Sequence, residues 1–325
     1  MLTRRNAIFG TAALLAALNS SASAQTQWPN RTVRLIVPLS AGGGVDMMAR
    51  VLAEQLSTEF GEPVVVENRP GAGGTIAALT VARSDPDGYT LIFQSVSSAV
   101  VNGLVYKKLS YDPVGDFAPV SLWAQFPNII IMSKTIPAKN LREFITLLKE
   151  NPGKYSYGSS GVGTAMHIAG ELFKKLAGVD LVHVPYRGNS AAMTDLLAGR
   201  VAIIFDGIAP QLPFIRDGRV TALGVTTSER SPLLPDVPAV EEIVPGYVIP
   251  YWTALFAPAK TPKEIIDKIA QGCSKAAKNP EVIRRMQSLG VEVIGSSPEK
   301  LETFWRKEIK YYASIVQASN ISIAQ

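Results

Sequence analysis

Arg34-Leu-Ile-Val-Pro-Leu-Ser-Ala-Gly-Gly-Gly-Val-Asp46 and Val64-Val-Val-Glu-Asn-Arg-Pro-Gly-Ala-Gly-Gly-Thr75 share one grammar. Each runs from a short apolar segment into successive glycines and then into an amphipathic stretch. That order reads as strand, turn, helix. Glycine lets the backbone take φ > 0 and lets a ligand approach the bare main chain. The N–H groups of a helix start then point outward, with the positive end of the helix dipole behind them. Two such turns in successive strand–helix units predict one jaw of an anion site built from backbone donors.

The same grammar extends outward. Met48, Val51, Leu52, Leu56 and Phe60 mark one helical face, and Gly61 sits where a C-cap glycine belongs. A short helix is predicted over Thr75–Ala82, then a turn at Asp85-Pro-Asp-Gly88 and a strand at Tyr89–Phe93. After the less regular Lys107 to Pro119 comes one apolar segment, Val120–Met132. Asn140, with Glu143 three residues on, predicts a capped helix start.

Tyr155-Ser-Tyr-Gly-Ser-Ser-Gly-Val-Gly-Thr164 repeats the opening pattern and reads as the first unit of a second domain. Strands are predicted at Leu181–Val184, Val201–Phe205 and Val220–Thr226, with a helix over Asn189–Ala198. Ile208–Arg216 has a helical pattern interrupted by Pro210 and Pro213. The apolar run Tyr247–Ala257 returns the chain to the first domain. Thr261-Pro262, Asn279-Pro280 and Ser297-Pro298 each place a capping residue before a proline at the first helical position. Alternating strands and helices predict an α/β fold with mainly parallel sheets.

Composition sets the outer bounds. The chain has 325 residues, 47% apolar and 18% charged, a globular mixture long enough to bury a sizeable core. Residues 1–24 read as a signal peptide: Arg4 and Arg5, an apolar run from Ala7 to Leu18, and an Ala22-Ser23-Ala24 cleavage site. The paired arginines leave twin-arginine export open. The apolar run is shorter than the ~20 residues of a membrane span, so no anchor is expected. Without Arg4 and Arg5 the formal charge falls from +5 to +3, and Lys and Arg are scattered, which argues against a nucleic-acid partner. Cys273 is the only cysteine, so no internal disulfide forms. The expected location is the periplasm, with cleavage after Ala24.

At this many motifs in order, the chain resembles the Bug/TctC family of extracytoplasmic receptors, the binding components of tripartite tricarboxylate transporters. The resemblance rests on Arg34-Leu-Ile-Val-Pro38 with Gly42-Gly-Gly-Val-Asp46, Val65-Val-Glu-Asn-Arg-Pro-Gly-Ala-Gly-Gly74 and Pro86-Asp-Gly-Tyr-Thr-Leu91. It continues through Tyr157-Gly-Ser-Ser-Gly-Val-Gly-Thr164 with His167, Val184-Pro-Tyr-Arg-Gly188, Asp206 and Arg230-Ser-Pro-Leu-Leu-Pro-Asp-Val-Pro238.

The resemblance implies a two-lobed periplasmic-binding-protein fold of type II-like form, closing on a ligand like a flytrap. Lobe 1 would comprise residues 25–124 and 251–325, and lobe 2 residues 125–250. Two strand crossings near Trp123–Pro127 and Val248–Trp252 would form the hinge. It further implies a small carboxylate ligand, a di- or tricarboxylate or an amino dicarboxylate, held by main-chain N–H groups and ordered water. Carried onto this chain, lobe 1 offers Ser40, Ala41, Gly42, Gly43, Gly73, Gly74 and Ser95. Lobe 2 offers Ser159, Ser160, Gly163, Thr164, Asn189, Ser190 and Asp206. Delivery to membrane transporter subunits, a monomeric state and the absence of any cofactor complete the expectation. Many members have a proline-rich segment where this chain has Leu39-Ser40-Ala41, and a small residue where it has Asn189. Both departures bear on ligand identity.

Asp46 reads as a helix-start residue favoured by the dipole. Arg69 and Arg187 read as surface or loop-bracing residues, His167 as fixing its turn, and His183 as core. Asp206 ends a strand, where α/β sheets place ligand residues, or else caps the following helix. A dinucleotide enzyme fails because the third glycine of G-x-G-x-x-G would fall at Met47. A serine hydrolase using Ser160, His167 and Asp206 lacks G-x-S-x-G. Two separated histidines without H-E-x-x-H argue against a metal. A ligand sensor for a signalling partner remains the alternative within the same binding chemistry.

Overall fold

A computed structural model describes residues 28–249 and 251–319. The signal-peptide reading therefore lies outside the described residues. Eleven strands form two sheets among them. In chain order they are β1 (Val33–Val37), β2 (Val64–Asn68), β3 (Thr90–Ser95), β4 (Phe117–Phe126), β5 (Asn128–Ser133), β6 (Ser156–Ser159), β7 (Val182–Pro185), β8 (Ile203–Gly207), β9 (Val220–Val225), β10 (Tyr251–Pro258) and β11 (Glu292–Val293). The first sheet has the order β11-β4-β10-β3-β1-β2 and the second β7-β6-β8-β5-β9.

The strand–turn–helix units pair in parallel: β1 with β2 and β3, and β6 with β7 and β8. The remaining pairs are antiparallel, so both sheets are mixed rather than mainly parallel. The reason is the route of the chain. β4 leaves the first sheet and β10 returns to it, so these neighbours must run in opposite directions. Pro127 breaks the apolar run Val120–Met132 in two, giving β4 to the first sheet and β5 to the second. The return passes from β9 to β10, where Pro250 lies outside the described residues.

Local signals account for much of the helical layer. Helix Gly44–Phe60 buries Met48, Val51, Leu52 and Leu56 and ends at Gly61 with φ 72°, whose N–H bonds to the Ser57 carbonyl. The Asn140 side chain accepts the Glu143 N–H at 2.9 Å and starts helix Leu141–Glu150. Asn279 caps helix Pro280–Gln287 in the same way, and the Ser297 hydroxyl accepts the Lys300 N–H at the start of helix Pro298–Ser319. Thr261 differs. Its hydroxyl donates to the Pro258 carbonyl, and Pro262 itself holds the cap position of helix Lys263–Ala277. Ile208–Arg216 is one helix despite Pro213.

β1 is buried along nearly its whole length, as a central strand covered on both faces must be. Trp123, Trp252 and Trp305 are fully buried around the first sheet. Helix Pro298–Ser319 packs on β4 and also reaches helix Ala165–Ala177 beside the second sheet. Its Glu308 accepts Trp252 Nε1–H at 2.8 Å, where β10 begins. The two lobes are thus bridged by the crossings and by this helix.

Candidate ligand cleft

A cavity of about 1050 Å³ lies between the lobes. From the first lobe it is lined by Ser40, Ala41, Gly42, Gly43, Gly73, Gly74 and Ser95. From the second it is lined by Ser160, Thr164, Asn189, Ser190 and Asp206. Ser159 and Gly163 are absent from its lining, for reasons given below. A smaller surface hollow of about 300 Å³ beside Arg31, Arg34 and Arg83 touches none of the glycine turns.

The first turn is held by a buried carboxylate. Asp46 Oδ2 accepts the Gly42 N–H at 2.9 Å and Arg50 Nε–H at 3.0 Å, while Oδ1 accepts from Asn68 Nδ2 at 2.8 Å. Asn68 Nδ2 also donates to the Leu39 carbonyl, tying the turn to the end of β2. Burial pushes the Asp46 pKa up, but the bonds from Arg50, Gly42 and Asn68 outweigh it and hold the carboxyl below its ordinary value. Gly42 therefore lines the cleft with its N–H already taken. The first intrahelical bond runs from Met47 N to Gly43 O. The N–H groups of Gly44, Val45 and Asp46 precede it, and they are the donors a helix start leaves over.

The second turn is shaped by four consecutive residues with positive φ: Gly71 at 131°, Ala72 at 45°, Gly73 at 64° and Gly74 at 95°. Only glycine adopts most of this path without strain. Packing demands glycine here too. A Cβ on Gly73 would meet Tyr106 Oη at 2.8 Å, and one on Gly74 would meet Pro38 Cβ at 2.9 Å. Asn102 Nδ2 fixes the turn by donating to the Gly73 carbonyl, and the Gly74 N–H bonds back to the Gly71 carbonyl.

The facing turn rests on stacked rings. His167 and His183 stack at 4.0 Å between centroids, and Tyr157 stacks on the other face of His183 at 4.8 Å. His183 Nε2 lies 2.7 Å from Ser159 Oγ, and His167 Nδ1 accepts the Gly163 N–H at 3.1 Å. Those two bonds turn Ser159 and Gly163 inward, away from the cavity. Burial lowers both histidine pKa values, and the neighbouring His167 helps push His183 to about 3. Thr164 caps helix Ala165–Ala177, as a turn before a helix requires. Both histidines serve as struts: His167 fixes its turn as expected, whereas His183 is half-buried on the edge strand β7 rather than in the core.

Asp206 ends β8 and is buried. Its Oδ1 accepts from Asn189 Nδ2 and from the Gly207 N–H at 2.8 Å, and Oδ2 accepts from Gln211 Nε2 at 2.6 Å. Burial raises its pKa to about 6, against the effect of those three donors. A Ser160–His167–Asp206 relay gains no support from this geometry. His167 Nδ1 takes its bond from Gly163, and Asp206 takes its bonds from Asn189, Gly207 and Gln211.

Several residues of the cleft carried no sequence signal. Ser97, Asn128, Tyr106 and Tyr251 all line the cavity. Ser97 Oγ accepts the Ala165 N–H at 3.0 Å, and lies 3.4 Å from Tyr251 Oη. Arg187 lines the cavity, whereas Arg69 pairs with Glu67 outside it. Among the described residues no group of three or more His, Cys, Asp or Glu side chains is placed to hold a metal ion, and no helix is long and apolar enough to cross a membrane.

The family model "Tripartite tricarboxylate transporter family receptor" matches residues 48–321. The solved periplasmic binding protein BugD is similar at 34% identity and a TM-score of 0.84, over 92% of this chain and 100% of that one. Rpa4515 of R. palustris with adipate is similar at 34% identity and a TM-score of 0.87, over 92% and 100%. MatC of Rhodopseudomonas palustris with bound malate is similar at 34% identity and a TM-score of 0.83, over 89% and 100%.

Proposed function

The chain belongs to the tripartite tricarboxylate transporter receptor family, and on that premise we propose that it captures a small carboxylate between its lobes. It then delivers that ligand to a membrane transporter of the tripartite type. The observation that carries this reading is the placement of a helix start and two glycine turns on one side of a cavity whose other side is the Ser160–Thr164 turn and Asp206. Helix-start N–H groups with the dipole behind them favour a carboxylate without a cationic side chain. The adipate and malate seen in two relatives are ligands of the same chemical class.

The lobes are proposed as residues 25–124 with 251–325, and residues 125–250. Export through residues 1–24, cleavage after Ala24 and action in the periplasm as a monomer complete the reading. No catalysis is needed. Micromolar binding corresponds to about −8 kcal/mol, a scale that a few charge-assisted backbone bonds and desolvation supply. Bonds from both lobes to one ligand stabilise the closed arrangement over any open one.

The test is thermal melting with a panel of mono-, di- and tricarboxylates and their uncharged amides. A carboxylate at 100 times its Kd adds about 2.7 kcal/mol and raises Tm by several degrees, whereas the matching amide does not. A panel in which no carboxylate moves the transition overturns the proposal.

A further inference from the structure

A row of apolar side chains crosses the end of the first sheet, where the chain passes between the lobes. Tyr251, the first residue of β10, pairs with Phe126, the last of β4. On the other side of β4 the β11 register pairs Glu292 with Gln125, and one step further it sets Val291 opposite Phe126. Directly opposed residues point to the same face of a sheet, so the three side chains stand in line. All three line the cavity, and so does Leu289. The Phe126 and Tyr251 rings lie 5.0 Å apart between centroids. The Tyr251 hydroxyl is already engaged, 3.4 Å from Ser97 Oγ.

The row is backed by protein on its outer side. Gly290, between Leu289 and Val291, has φ 69°, and a Cβ there would meet Leu233 Cδ1 of the second lobe at 2.5 Å. Met47 and Met48 also line the cavity, directly after the helix-start N–H groups of Gly44, Val45 and Asp46. Hydrocarbon thus adjoins the anion donors on the first-lobe wall.

Phe126 and Leu289 remain half-buried. A hydroxyl or ammonium set against them would lose water and gain no partner. Hydrocarbon placed there gains in proportion to the area it buries. The size of the cavity points the same way. At about 1050 Å³ it matches the upper end of pockets that enclose drug-sized ligands, about 300–1,000 Å³, and has room well beyond a short diacid.

We infer that the crossing end of the first sheet is an apolar subsite, in which Phe126, Val291 and Leu289 pack the hydrocarbon body of the carboxylate ligand. The ligand is then a carboxylate bearing an aryl or alkyl body, not a short hydroxy or amino acid. This inference rests on the proposed carboxylate-receptor function and names the part of the ligand beyond its carboxylate.

The test is calorimetric titration with acids that keep the carboxylate and differ in hydrocarbon. The series are acetate, cyclohexylacetate and phenylacetate; succinate and phenylsuccinate; and the straight diacids from succinate to suberate. In at least one series a bulkier acid binds tenfold or more tightly than the smallest. A buried methylene is worth about fourfold, so a rise of that size per carbon along the diacids identifies an alkyl body. An advantage of phenyl over cyclohexyl identifies an aryl body. Phe126→Ala and Leu289→Ala each shrink the ratio at least threefold while the smallest acid that binds keeps its affinity within twofold. Melting curves establish that the variants are folded. Equal loss for small and bulky acids assigns the row to packing between the lobes and overturns the inference. A ratio that survives both substitutions also overturns it, as do small acids that bind as tightly as bulky ones; the receptor function then stands. If no acid of any series binds, the receptor function fails and the inference falls with it.

Discussion

The hydroxyl of Ser97, just beyond β3 in the first lobe, accepts the backbone N–H of Ala165, the first residue of a helix in the second lobe, at 3.0 Å. A helix start leaves its first N–H groups without internal partners. Here one of them is satisfied from the other lobe, at the base of the cleft. Ser97 also opens the π-helical turn Ser97–Val101, a distortion often found at functional sites. Cavity lining and lobe-to-lobe attachment thus meet in one side chain.

Ser97→Ala removes that acceptor. The expected loss is about 1 kcal/mol of stability, with the Ala165 amide exchanging roughly five- to tenfold faster. Hydrogen exchange read at Ala165 checks it, and unchanged protection there would mean that the bond does not couple the lobes.

Gly43 is the cleaner probe of the first turn. Its φ of −80° and ψ of 166° suit any residue, and an added Cβ would have only the Ser40 carbonyl near it, at 3.7 Å. Gly43→Val should hold stability to within about 0.5 kcal/mol while its side chain fills the anion site. Gly73→Val, with φ of 64° and Tyr106 in the way, should lose roughly 1–3 kcal/mol as well. Melting each variant with and without carboxylate separates the two effects. A full ligand-induced rise in Gly43→Val would remove the first turn from the site.

The raised pKa of Asp206 makes a signed prediction. Its carboxyl titrates near 3.8 in the unfolded chain and at about 6 in the native one. The native state therefore holds the proton over the window from about pH 4 to 6. The associated stability is present below that window and is lost as pH rises through it. Asp206→Asn has no such proton. Relative to the native protein, the variant should gain about 3 kcal/mol between pH 4 and 7.5. Urea melts at the two pH values measure the change, and a pH-independent difference contradicts the assignment.

His183 gives the opposite slope. Its native pKa of about 3 lies below the ordinary 6.5, so its contribution is present above pH 6.5 and is lost as pH falls toward 3. His183→Phe keeps a ring between Tyr157 and His167 but loses the Ser159 bond, costing about 1 kcal/mol at pH 7.5. Below pH 6 the native protein should lose roughly 1 kcal/mol per pH unit relative to the variant. Parallel stability curves for the two proteins would rule out His183 as the source.

Much of this molecule was legible locally. Gly61 closes its helix with a positive φ, Asn140 and Asn279 cap theirs, and helix Thr75–Ala82 falls where the turn signals put it. Each depends on sterics and on bonds spanning a few residues, which the order of residue types expresses directly. Most of the expected cleft residues also line the cavity, because turns at strand ends converge on one edge of a sheet. Thr261 does not cap its helix, because its side chain is turned back to the Pro258 carbonyl and Pro262 takes the cap position.

The sequence by itself determined the strand–glycine–helix units, and with them a place where backbone donors face a ligand. Tertiary structure decided which donors remain available. Asp46 takes the Gly42 N–H only because Asn68, at the end of another strand, holds the carboxylate in position. Ser97 reaches Ala165 across 68 residues of chain, and Asn128 comes to lie opposite Gly207 only once β5 and β8 pair. Hydrogen-bond partners distant in sequence are chosen by packing, and no local pattern of residue types records that choice.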